Sequence, residues 1–137
     1  MNRDSESSKG LAPRRVLLID PDPAFAAGLR QILGRDDPAQ VWLWHERTPE
    51  LALTLLAVCE FDLILFTLPS LPRTAARLVH AIAETALGTS LLLLGSGWPE
   101  LDPLPVTVVG VSSRQEVDQV GEKIAQALGY PDQALVF

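Results

Sequence analysis

Five short apolar runs punctuate the chain, at Arg15 to Ile19, Val41 to Trp44, Leu63 to Phe66, Leu91 to Leu94 and Val106 to Val109. Most are apolar at every position rather than every second one, the pattern of parallel strands covered on both faces. Segments of helical period separate them. Phe25, Leu29, Ile32 and Leu33 form one stripe, with Asp22 as N-cap, Pro23 at the first helical position and Gly34 as the stop. Thr48 and Pro49 open a second helix the same way, turning Ala52, Leu55, Leu56 and Cys59 inward. A third runs from about Thr74 to Leu87 and buries Ala75, Leu78, Val79 and Ile82. In the last, Ser113 and Glu116 make a capping box, Val117, Val120, Ile124 and Leu128 form the buried face, and Gly129 closes it. Alternating strands and helices predict an α/β domain. One crossover breaks the rhythm: between the fourth and fifth strands, residues 95–105 include Pro99, Pro103 and Pro105, so a loop or one short turn replaces a regular helix.

Composition narrows the class. With 137 residues, 47% of them hydrophobic and 20% charged, the chain is sized for one self-supporting domain, placed at residues 14–130. Residues 1–13 and 131–137 are expected to be tails, the first polar and flexible. The net charge is −6, and residues 1–15 hold four of the basic groups and two of the acids, which leaves 7 basic and 15 acidic groups beyond them. Such a body does not suit nucleic acid, whose binding rewards a basic face. Protein partners or cations fit better. Cys59 is the single cysteine, so no disulfide can form within the chain. No apolar leader or membrane-length run is present. A cytoplasmic protein that does not insert into a membrane is expected.

The stretch Val16-Leu-Leu-Ile-Asp20-Pro-Asp22-Pro-Ala-Phe, followed by an apolar helix, resembles the opening of a response-regulator receiver domain, where the first strand ends in two adjacent acids. Phe61-Asp62-Leu-Ile-Leu-Phe-Thr67 is similar to that family's third strand, in which an aspartate begins the strand and the phosphoacceptor aspartate stands five residues later. The resemblance spans roughly residues 14–129. It implies a flavodoxin-like three-layer sandwich with a five-stranded parallel sheet in the order 2-1-3-4-5, its fourth helix shortened or missing.

The departures from the family pattern carry the functional reading. Phosphoryl transfer to a carboxylate requires the acceptor, acids that hold Mg²⁺, and a hydroxyl and a lysine that gather the phosphoryl oxygens. Thr67 stands at the acceptor position and cannot form an acyl phosphate. Pro21 follows Asp20 where the second acid belongs, with Asp22 one residue late. The lysine position falls near Gly110, and the only lysines are Lys9 and Lys123. The switch hydroxyl falls on Gly95, or on Ser96 one residue on. Leu71 replaces the expected proline, with Pro72 one residue late. The resemblance thus implies a pseudo-receiver without phosphorylation chemistry, whose vestigial pocket is Asp20, Asp22, Thr67 and Ser96.

Each residue also has a plainer reading. Asp22 can be just a helix cap, and Asp20 and Asp22 lack a third oxygen ligand for a cation. Thr67 ends an apolar strand, where a hydroxyl commonly bonds nearby backbone. Gly95-Ser96-Gly97 lacks the following helix that a phosphate cradle uses. His45, His80 and Cys59 give no zinc spacing. His80 and Glu84 form a surface pair. Trp42 and Trp44 are expected first in the core and second at a sheet edge. Trp98, Leu101 and Leu104, on the proline-rich loop, either patch the sheet or form an interaction surface. The reading is therefore not an enzyme, with no cofactor and no metal, but a phosphorylation-independent protein-interaction or localisation module of bacterial signalling that binds a protein partner or itself. The alternative is a small-ligand or cation-binding domain using the crevice at the carboxyl ends of the strands.

Overall fold

The computed structural model describes residues 13–33, 41–69, 71–95, 108–112 and 117–128. Five strands, β1 (Arg14–Ile19), β2 (Val41–Glu46), β3 (Leu63–Thr67), β4 (Ser90–Leu94) and β5 (Val108–Ser112), alternate with α1 (Pro23–Leu33), α2 (Pro49–Leu56), α3 (Pro72–Thr85) and α4 (Val117–Leu128). All neighbouring strands are parallel, and the sheet order is β2-β1-β3-β4-β5, the order implied by the resemblance.

The unbroken apolar runs follow from helices on both faces. Val16 and Leu18 of β1, Leu63 and Leu65 of β3, and Leu92 and Leu94 of β4 pack with Phe25 and Leu29 of α1 and Val120 and Ile124 of α4. Their alternates Leu17, Ile19, Ile64, Phe66, Leu91 and Leu93 pack on the other face, against Ala52 and Leu56 of α2 and Val79 and Ile82 of α3. Strand periodicity of two therefore feeds two cores.

Local signals set the helix ends. The Thr48 hydroxyl accepts from Leu51 N at 3.2 Å, and Pro49 stands at the first turn, where its missing N–H costs no helical bond. Thr48→Ala is expected to destabilise the protein by about 1 kcal/mol, read as a lower denaturation midpoint with an unchanged slope. Gly88, with φ +82°, makes the turn between α3 and β4. A side chain is strained in that left-handed region.

Several boundaries differ from those the sequence predicts. Helix α3 begins at Pro72 rather than Thr74, because proline is well tolerated at the first helical position. Strand β2 continues through His45 and Glu46, which stand in register with Leu18 and Ile19. Strand β5 is Val108–Ser112 rather than residues 106–109. Gly110 lies within it and pairs with Leu92, after a register shift that leaves Val109 as an extra residue between Val108 and Gly110. The expectations for residues 1–12, 96–105 and 131–137, for Gly34, and for the Ser113–Glu116 box and Gly129 lie outside the described residues; these include the shortened or missing crossover helix.

Candidate functional site

Strands β1 and β3 end side by side. Their register runs from Val16 opposite Leu63 to Ile19 opposite Phe66, so the next residues, Asp20 and Thr67, are neighbours at the carboxyl edge of the sheet. In folds of this class that edge is the ligand crevice.

Asp20 is 0% exposed and is the one buried polar or charged side chain among the described residues. Burying a carboxylate costs several kcal/mol unless its oxygens find donors. Here the Thr67 hydroxyl donates to Asp20 Oδ2 at 2.5 Å, and the Asp22 N–H donates to Oδ1 at 2.7 Å. The first distance lies in the charge-assisted range for a hydroxyl on a carboxylate. The main chain of Asp20 is held as well: its N–H donates to the Glu46 carbonyl at 3.1 Å, and its carbonyl lies 2.6 Å from His45 Nε2. A carbonyl can only accept, so this contact assigns the proton to Nε2 of His45.

The second acid is directed elsewhere. Asp22 is exposed, and its Oδ1 accepts from Ala24 N at 2.9 Å in the first turn of α1. It bonds there as a helix cap. Pro21 between them is exposed and offers no side-chain donor. The lysine position was expected after the fifth strand, near Gly110, but Gly110 lies within β5 opposite Leu92, so the position after that strand falls outside the described residues; Gly95 follows β4. Ser96 lies outside the described residues. The Mg²⁺ of receiver chemistry does not fit this donor set. The acid that remains has both oxygens hydrogen-bonded within the chain, its neighbour is a proline, and the acceptor position carries a neutral hydroxyl. Among the described residues no three His, Cys, Asp or Glu side chains converge.

Thr67 bonds a carboxylate rather than the nearby backbone expected for it. Trp42 and Trp44 correct the sequence reading more strongly. They are 59% and 50% exposed instead of lying in the core. Both sit on the edge strand, in register with Arg15 and Leu17, and so share the face of α2. That helix has only 8 residues and leaves them uncovered. His80 and Glu84 are both exposed. Trp98, Leu101 and Leu104 fall outside the described residues. Sequence reasoning missed the link from His45 to Asp20, although the order 2-1-3 already places the ends of β2 and β1 together.

No family model matches the chain, and no curated protein does. Solved structures do. The signal receiver domain of an HD domain-containing protein from Pseudomonas fluorescens Pf-5 is similar at TM-score 0.68 and 24% identity, with 93% of each chain covered. A response regulator from Thermotoga maritima is similar at TM-score 0.69 and 15% identity, over 85% of this chain and 98% of that one. A Burkholderia pseudomallei response regulator, solved with a phosphorylated aspartic acid, a calcium ion and citrate, is similar at TM-score 0.57 and 17% identity, over 86% of this chain and 75% of that one. The chain has the receiver-like α/β fold.

Proposed function

We propose that this receiver-like domain works without phosphorylation, as a protein-interaction or localisation module of bacterial signalling located in the cytoplasm. The bond from the Thr67 hydroxyl to Asp20 Oδ2 carries the reading. The Burkholderia relative bears a phosphorylated aspartic acid. Here a threonine occupies the acceptor position and donates to the only pocket acid that the family pattern retains. A threonine hydroxyl cannot become an acyl phosphate, and an internally bonded Asp20 is poorly placed to recruit a cation. The same bonds weigh against a cation site in this crevice. No helix among the described residues is long and apolar enough to cross a membrane, which is compatible with the proposed location. On sequence grounds, Trp98, Leu101 and Leu104 remain the first surface to probe for partners or self-association.

Incubation with acetyl phosphate or beryllofluoride and Mg²⁺ is expected to leave both the intact mass and the sedimentation profile unchanged. A labile phosphoryl adduct on a carboxylate, or a donor-dependent change in association, would overturn the proposal.

A further inference from the structure

Strand β2 ends the sheet on one side, and its outer edge has a definite hydrogen-bonding pattern. Asp20 N donates to the Glu46 carbonyl at 3.1 Å, so the main-chain groups of Glu46 turn inward to β1. Successive strand residues alternate in this respect. Those of Trp44 and Trp42 turn inward as well, and the N–H and C=O of Val41, Leu43 and His45 turn outward. Arg30 marks the outward set, its Nη2 donating to the Leu43 carbonyl at 3.4 Å.

We propose that this edge pairs antiparallel with the same edge of a second copy of the chain, joining the two sheets. A two-fold axis brings identical surfaces together and reverses the strand direction. Backbone bonds then form where outward-facing residues stand opposite one another. Within Val41–Glu46, the alignment that uses all of them sets Leu43 opposite Leu43 of the second copy and Val41 opposite its His45. That alignment also sets Trp42 opposite Trp44 of the second copy, at the positions between hydrogen-bonded pairs, where side chains approach most closely. Both indoles are exposed, and aromatic pairs across a ladder stabilise it. Backbone and side chains therefore select the same register.

Charge agrees with this arrangement. On the tryptophan face, Arg15 stands beside Trp42 toward the amino end, and Glu46 stands at the carboxyl end with its carboxylate on the Trp44 indole. The antiparallel alignment turns each end toward the opposite end of the other copy, so acid and guanidinium approach. Natural sheet edges are commonly guarded by charged residues or proline. Val41 to His45 contains no proline, Asp, Glu, Lys or Arg. The guard on the Leu43 carbonyl is Arg30, and its bond is longer than the usual range. One strand edge with two half-open indoles is smaller than the roughly 800 Å² per partner of a standard interface, so the dimer is reversible and weakly held. It does not depend on the loss of phosphorylation proposed above, because pairing uses the outer edge of β2, whereas Asp20 and Thr67 meet between β1 and β3.

Sedimentation of the full chain from low micromolar to millimolar concentration should show a reversible monomer–dimer equilibrium. The amides of Val41, Leu43 and His45 should gain protection from hydrogen exchange as the dimer fills. Trp42→Lys, at an exposed position, should weaken dimerisation by about tenfold or more with the fold intact. Leu43→Pro should abolish it, since proline removes an outward N–H that the β1 ladder does not use. Arg30→Gln frees the Leu43 carbonyl and should tighten the dimer. A monomer at millimolar concentration overturns the proposal. So does protection of those amides independent of concentration, which would mean that the chain covers its own edge. A dimer that keeps its affinity in Trp42→Lys but loses it in Trp98→Ala overturns it too, while leaving the interaction role proposed above in place.

Discussion

Phe66→Ala is expected to cost about 3–5 kcal/mol of stability, the range for removing a buried aromatic side chain. Phe66 is 1% exposed on β3, which is paired to β1 on one side and β4 on the other. Its ring packs in the core formed with α2 and α3, and a central parallel strand covered on both faces has little room to collapse into the hole. A domain of this size is stable by about 5–15 kcal/mol in total, so the variant should lose a large part of that. Guanidinium melts would show a much lower midpoint at unchanged slope. A loss below about 1 kcal/mol would mean that Phe66 is not where the fold puts it.

Thr67→Asp, which writes the family's acceptor back into the chain, should destabilise the protein by about 3 kcal/mol at neutral pH, the scale of an uncompensated charge in a buried site. The new carboxylate would take the place of the hydroxyl that donates to Asp20 at 2.5 Å. Two adjacent carboxylates resist ionising together, so the folded pair would hold a proton at pH values where the unfolded chain has released it. The folded state then binds more protons, and stability falls as pH rises. The deficit relative to the parent should therefore shrink as pH is lowered toward about 4, near the unperturbed carboxylate range. Adding Asp20→Asn to the same chain should recover much of the loss at neutral pH. Acetyl phosphate with Mg²⁺ should label Thr67→Asp no better than the parent, since Pro21 still supplies no acid and the chain's only lysines are Lys9 and Lys123. Efficient labelling, or a deficit independent of pH, would show the pocket to be built differently.

The α/β class was legible because the core is written twice in each central strand, whereas the strand order came only through the resemblance. Val16 and Leu18 face one set of helices and Leu17 and Ile19 the other, so a short apolar run between turn residues reads as a parallel strand covered on both faces. The edge strand was not legible in the same way. Val41 to Trp44 has the same apolar appearance, yet Trp42 and Trp44 are uncovered, because coverage depends on the length of α2 and not on the strand's own residues. Asp20 and Thr67 could be assigned to one site through the resemblance. Their mutual bond could not, since it depends on the register between strands far apart in sequence.

The bonds at the two ends of the β1–β3 ladder have a consequence for how the chain finds its alignment. Arg15 and Asp62 exchange bonds at the amino end, with Arg15 N donating to Asp62 Oδ2 and Asp62 N to the Arg15 carbonyl, each at 2.7 Å. Thr67 and Asp20 close the carboxyl end. Both pairs are 47 residues apart in sequence. Between them, Val16 to Ile19 and Leu63 to Phe66 are apolar throughout, so a slip of two residues would still bury oil against oil on the same faces. Only the polar ends can tell one alignment from the next. A slipped ladder would strand the Asp20 carboxylate in the interior without its hydroxyl and leave Asp62 without its backbone donor. The two clamps thus act as a ruler of fixed length, rejecting misaligned sheets that hydrophobic burial alone would accept.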